Sequence, residues 1–264
     1  MSTKIPYLDE LYSPITGCSN TACPTRSSCW AKFMVDTMGR TAIQPKPFSK
    51  VHFHPNRLDK PLHWRKPRRI GVCFLGDWMD KHVRKYWIDR ILEVIAACPR
   101  HQFFSLTKHP ERLDDMIYGV DEQNPMRELG GGDYLPNLYL GVTVTNQADA
   151  DRMIPELLQI PGKHWVSYEP ALGAVDFVKF WIMKFYNCVI PRPWMIDINW
   201  LVIGSHNQPR KYPCKIEWIE SAVELAQAAN VPVFVKQADI CGKLVKMPEI
   251  LGRVYDQFPI GVRF

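Results

Sequence analysis

Short apolar runs rich in β-branched and aromatic residues punctuate the chain at 70–75 (IGVCFL), 102–106 (QFFSL), 138–144 (LYLGVTV), 164–168 (HWVSY), 200–203 (WLVI) and 231–235 (VPVFV). Runs of this kind predict strands buried on both faces, as in parallel sheets. Helical patterns lie between several of them. Val83, Trp87, Ile91 and Ile95 recur every four positions and predict a helix that Asp80 can cap. Residues 110–118 read as a short helix with Pro110 in its first turn. Residues 147–160 read as a helix split or kinked at Pro155. Residues 215–229 place Ile216, Ile219, Val223 and Ala226 on one face, and Asn230 ends the pattern. The aromatics Phe177, Phe180, Trp181 and Phe185 predict a further helix packed on the core over 177–190.

Strand–helix alternation with short links predicts an α/β fold with a parallel sheet. Two weaker strands, at 13–16 and 51–53, bring the count to about eight. That number favours a single parallel (β/α) barrel, closed or nearly closed, over an open doubly wound sheet. One barrel domain would account for residues 1–264. No glycine-rich dinucleotide loop follows any strand; Gly130, Gly131 and Gly132 precede one and read as a flexible link.

Composition narrows the class. Hydrophobic residues make up 46% and charged residues 23%, so a disordered or collagen-like chain is excluded. The opening MSTKIPYLDELYSP carries acids and no apolar centre, and no signal peptide is expected there. Lys179 and Lys184 interrupt the longest apolar stretch, so no membrane span is expected. A cytoplasmic protein is expected, and there eight cysteines do not make a disulfide framework. The net charge of +6 is compatible with an anionic partner.

Candidate chemistry sits at the strand ends, where parallel α/β folds place their sites. Those ends would deliver Asp77, Lys108, Asn146, Glu169, His206 and Lys236 to one mouth. The first weak strand leads into Cys18, Cys23 and Cys29, which would open on the same mouth. Three thiolates leave one iron of a four-iron cluster open, whereas a closed structural zinc site needs a fourth ligand, such as His52 or His54. The stretch from Arg57 to Arg69 (RLDKPLHWRKPRR) holds six basic residues, one acid and Trp64, and could contact a phosphate backbone.

Blocks spanning nearly the whole chain resemble a phage-associated family of uncharacterised function, also found in bacteria and archaea, whose members look like radical S-adenosylmethionine (SAM) barrels. They are Ile15-Thr16-Gly17-Cys18, Cys29-Trp30-Ala31, FHPNRLDKPLHWRKPRR at 53–69, LTKHPER at 106–112, LGVTVTNQ at 140–147, VSYEPALG at 166–173, WLVIG at 200–204 and VPVFVKQ at 231–237. The resemblance implies a TIM-like or partial barrel of the radical SAM type, with Cys18, Cys23 and Cys29 holding a 4Fe-4S cluster and SAM on its open iron. Asp77 would accept from the SAM amino group, and Asn146 and Glu169 would bind ribose hydroxyls or substrate. Lys108 and Lys236 would hold a carboxylate or phosphate, with a nucleotide or nucleic acid as the favoured substrate. Flavodoxin or ferredoxin would supply electrons. The chain departs from the family pattern at Arg26, where a cysteine is usual, and at Ser205-His206, where an acid is lost. Two other readings compete: a non-enzymatic nucleic-acid-binding protein with a structural zinc or iron–sulfur site, and a metal-free barrel hydrolase or lyase using Glu169 and the lysines.

Overall fold

The structure is a computed structural model and describes residues 3–119, 134–185, 188–259 and 261–262. Eight strands form one large, mostly parallel sheet in the order β1-β4-β5-β6-β7-β10-β11-β12. These are β1 (Glu10–Tyr12), β4 (Arg69–Val72), β5 (Gln102–Ser105), β6 (Leu138–Val144), β7 (Lys163–Tyr168), β10 (Trp200–Gly204), β11 (Val233–Ile240) and β12 (Lys243–Lys246). All six apolar runs are strands, and their near-continuous burial is what a sheet covered on both faces demands. A closed cylinder is not shown.

The count of eight is reached differently from the expectation. The weak strands β2 (Ile15–Thr16) and β3 (His52–Phe53) pair with each other, antiparallel and outside the large sheet. Their places are taken by β1, which pairs with β4, and by β12, which folds back antiparallel on β11. Residues 177–190 are not a helix: β8 (Phe180–Phe185) and β9 (Cys188–Pro193) form an antiparallel pair. The Gly130–Gly132 link lies outside the described residues.

Two compact units divide the chain, Met1–Leu140 and Gly141–Phe264. In the first, Tyr12, Ile70, Val72, Phe103 and Phe104 are buried along β1, β4 and β5. The Lys85–Ala96 helix buries Ile88, Ile91, Leu92 and Ile95. It starts after Arg84, so Asp80 does not cap it. Its last turn is fastened by the buried Asn137 amide, which donates to the carbonyls of Ile95 (2.9 Å) and Cys98 (3.0 Å). In the second unit, Trp165 stacks on Trp200 with ring centres 5.3 Å apart, and Phe234 and Phe258 extend the cluster. A Cβ on Gly141 would strike the Trp165 ring at 2.3 Å, so that packing depends on glycine. The Gln147–Leu158 helix runs unbroken through Pro155. The Ile216–Ala228 helix buries Ile219, Ala222, Val223 and Ala226, and Asn230 turns the chain at φ +57°. No described helix is long and apolar enough to cross a membrane.

Candidate functional site

The three cysteines belong to the first unit, on the loop that leaves β2. Two glycines fix where this loop starts. Gly17, at φ +89°, bridges Gly76 just past the carboxyl end of β4. The Gly17 amide donates to Leu75 O (3.1 Å), and the Asp77 amide donates to Gly17 O (3.2 Å). A Cβ on Gly76 would lie 2.4 Å from Gly17 O, and one on Gly17 would lie 2.5 Å from Lys50 O, so neither position leaves room for a side chain. Cys18 follows at once, its amide donating to Phe48 O (3.0 Å).

The next anchor is Asp80, a fully buried carboxylate. It accepts from the Ser19 amide (2.6 Å), the Ser19 hydroxyl (3.0 Å) and the His82 amide (3.0 Å). Burial alone would raise its pKa. The amides of His82 and Ser19, with their side chains, outweigh burial and hold the carboxyl below its ordinary range. Arg112 in turn grips the segment after Gly76, donating to the carbonyls of Met79 (2.8 Å), Asp80 and Val83 (3.3 Å). Asp80 is therefore a loop clamp. Its partner Ser19 is 61 residues away in sequence, and no periodic pattern announces such a contact.

Asp77 is also buried. One oxygen accepts from the Thr107 hydroxyl (2.7 Å) and the Met79 amide (3.0 Å), the other from the Lys108 amide (2.9 Å). It thus ties the segment after β4 to the end of β5, and its side chain reaches Lys108 through the backbone amide.

Cys18 and Cys29 pack against one apolar cluster, formed by Ala31, Val35, Ile43, Phe48 and Leu75. Cys23 stands further along the loop, its sulfur 3.3 Å from the Thr25 hydroxyl. The Arg26 guanidinium, at the position where the family has a cysteine, donates to Asn20 O (2.7 Å). Burial, then the nearby Asp77 carboxylate, pushes the Cys18 thiol up to about 12. Among the described residues, no group of three or more His, Cys, Asp or Glu could hold a metal ion. The donor types suit an iron–sulfur cluster, although the three thiols as placed form no metal-holding group, with or without His52 and His54. His54 Nε2 instead meets the Thr16 hydroxyl at 2.8 Å.

The second unit carries the other candidates. β10 lies between β7 and β11, and Glu169 and Lys236 form an ion pair across it. Gly204 makes that reach possible. A Cβ there would stand 3.2 Å from Glu169 Cγ and 3.3 Å from its Cδ. Glu169 precedes a cis proline, Pro170, and the Ala171 amide donates to Gly204 O (2.9 Å). Lys236 and Gln237 lie inside β11, not at its end. The buried Ser205 hydroxyl has no hydrogen-bond partner among the described residues. Asn146 is the helix cap that sequence reasoning did not assign: its side-chain oxygen accepts from the Asp149 amide (3.0 Å). His206 packs on Tyr212, ring centres 4.2 Å apart, and accepts from the Gln208 amide (3.0 Å). Burial, then Lys211, lowers its pKa.

The basic stretch from Arg57 to Arg69 is partly spent on the fold. Arg57 donates to the carbonyls of Ser13, Ala42 and Ile43, Arg68 pairs with Glu10, and Arg69 pairs with Asp9. Lys60 lies over the Trp64 ring, while Arg65 and Lys66 are exposed.

These elements define a mixed α/β protein with a large, mostly parallel sheet of eight strands. Residues 2–259 match the family described as "protein of unknown function (DUF5131)", and the chain belongs to that family. No curated protein matches. Among solved structures, the chain is similar to a mutant of spore photoproduct lyase, with 11% identity and a TM-score of 0.44 over 80% of this chain. It is also similar to a second mutant of that enzyme, solved with dinucleoside spore photoproduct, with 10% identity and a TM-score of 0.42 over 84% of this chain. The chain spans 61% and 62% of the lengths of those two proteins.

Proposed function

We propose that this chain is a radical SAM-type enzyme on a partial or closed (β/α) barrel, with Cys18, Cys23 and Cys29 as ligands of a 4Fe-4S cluster. The reading rests on the family resemblance carried by those cysteines. One observation supports it: a loop with three thiols in twelve residues is fastened beside the carboxyl end of β4 by the Gly17–Gly76 approach and by Asp80. Parallel sheets place their chemistry at such ends.

Among the described residues the three thiols do not form a metal-holding group, so the reading requires the loop to bring them together when the cluster binds. When bound, the cluster and SAM would supply the radical chemistry, which belongs to the cofactor. The chain's own residues would orient and protect it. Asp77, Asn146 and Glu169 would contact SAM or substrate. Lys108, Lys236 and Glu169 would hold an anionic group of a nucleotide or nucleic acid, or move a proton on it. Asp77 already accepts three hydrogen bonds, so its part there is mainly to hold the Lys108 segment in place. A flavodoxin or ferredoxin would be the reductant.

The test is anaerobic purification and reconstitution, with iron, sulfide and SAM cleavage measured under strong reductant. About four irons per chain are expected, lost when all three cysteines become serine. Reconstituted wild type with no cluster, or serine variants with unchanged iron, would end this reading. A colourless, zinc-loaded protein that binds nucleic acid would favour the non-enzymatic alternative.

A further inference from the structure

Charge is distributed unevenly along the chain. Residues 11–69 hold eleven Lys and Arg against two acids, Asp36 and Asp59, a net of nine positive charges in a chain whose total is +6. Several of these cations are engaged inside the fold: Arg26, Arg57, Arg68 and Arg69 as described, and Lys32 with Asp36 at 3.2 Å. Arg40, Lys46 and Lys50 remain exposed.

Flat aromatic surface accompanies them. The helical stretch that begins at Trp30 buries Ala31 and Val35. Its opposite side carries Trp30 and Phe33, which are 44% and 54% exposed although three residues apart on one face. Met38, 51% exposed, follows. The Arg40 amide donates to Met34 O (3.0 Å), and Arg57 holds the carbonyls of Ala42 and Ile43, so the Arg40 turn is fixed to this helical stretch. Exposing two large rings on one face costs hydrophobic free energy unless something covers them. A second copy of the chain would bring the same positive segment against itself.

We propose that this face binds single-stranded nucleic acid, with bases stacking on Trp30 and Phe33 and phosphates meeting Arg40, Lys46 and Lys50. Stacking on an aromatic platform combined with backbone neutralisation is how sequence-tolerant single-strand binders work. The inference deepens the substrate class of the proposed function, and rests on it only for the link to chemistry. Binding itself needs no cluster, so its failure and that of the redox reading are measured separately.

The test uses the full chain and fluorescence anisotropy with labelled dT20 and U20 oligonucleotides and a 20-base-pair duplex. Both single strands should bind more tightly than the duplex. Three phosphate contacts predict a slope of log affinity against log salt of about −2. The Trp30→Ala/Phe33→Ala variant should lose at least about tenfold in affinity. Both rings are exposed, so its melting temperature should stay within a few degrees of wild type. Reversing Arg40, Lys46 and Lys50 to Glu should abolish binding, whereas Lys243→Glu/Lys246→Glu should change it far less. The proposal is overturned if neither strand binds, if the folded double alanine variant binds as wild type does, or if the duplex binds as tightly as the single strands. Competition by phosphatidylserine vesicles, or Trp30-dependent self-association, would likewise assign the face to another partner and overturn it.

Discussion

Replacing Gly76 by Ala tests how the cysteine loop is held. The new Cβ would stand 2.4 Å from Gly17 O, 2.7 Å from Gly17 N and 2.9 Å from Thr16 C. Ordinary contacts begin near 3.4 Å, so the two backbones must part by about 1 Å, and no rotamer change can relieve a clash between main chains. Parting them weakens the Gly17–Leu75 and Asp77–Gly17 hydrogen bonds. Overpacking costs about 1–3 kcal/mol, and two hydrogen bonds add about 1 kcal/mol each, so the expected loss is about 3–5 kcal/mol. That is a large fraction of the ~5–15 kcal/mol typical of a folded domain. Gly39→Ala is the control: nothing lies within 4 Å of its Cβ, and its φ of +62° carries the left-handed strain of about 1–2 kcal/mol alone. Urea unfolding gives the stability, and thiol labelling read by peptide mass gives the local effect. Cys18 should label slowly in wild type, with its thiol pushed up to about 12, and faster in Gly76→Ala. If Gly76→Ala costs no more than Gly39→Ala and leaves Cys18 labelling unchanged, the proposed anchorage is wrong.

Two further outcomes are expected. In a Glu169→Gln/Lys236→Met double-mutant cycle, this partly buried pair should show coupling of about 1–2 kcal/mol, and Gly204→Ala should reduce it, because its Cβ crowds Glu169; coupling below about 0.3 kcal/mol would refute the pairing. Burial, then Arg57 and His52, lowers the His54 pKa to about 4, against about 6.5 in the unfolded chain. The unfolded chain therefore takes up the proton first: stability is full above about pH 6.5 and falls by about 2–3 kcal/mol as the pH drops towards 4. His54→Gln should flatten that part of the pH profile, and parallel wild-type and variant curves would contradict it.

What the sequence revealed follows burial. Strands covered on both faces read as unbroken apolar runs, and all six were legible. The edge elements were not. β1 is three residues, ELY, and β12 reads KLVK, with lysines at both ends of a largely exposed strand. The 177–190 stretch read as a helix because a short aromatic run carries no decisive period, and only pairing reveals that β8 and β9 are strands. The cysteine spacing was visible, but whether sulfurs converge depends on the path of the loop. Asp80 shows the same limit: its position before a helical pattern suggested a cap, while its actual partner is the backbone beside Cys18.

A signal that could have found the anchored positions lies in the residues just before the candidate chemistry. Gly17 precedes Cys18, Gly76 precedes Asp77, and Gly204 precedes Ser205. In each case the missing Cβ serves a close approach: backbone to backbone at Gly17 and Gly76, and side chain to backbone where Glu169 lies over Gly204. Such a contact fixes the following residue through its main chain and leaves its side chain to the environment. The consequence differs between the two units. Beside Gly76 the following carboxylate, Asp77, is taken up by hydrogen bonds to Thr107, Met79 and Lys108. Beside Gly204 the Ser205 hydroxyl is buried and unsatisfied among the described residues. A buried hydroxyl without a partner costs about 1–3 kcal/mol. By this reasoning the Gly17–Gly76 contact sets where the cysteine loop begins, and Gly204 sets how closely Glu169 can approach the end of β10.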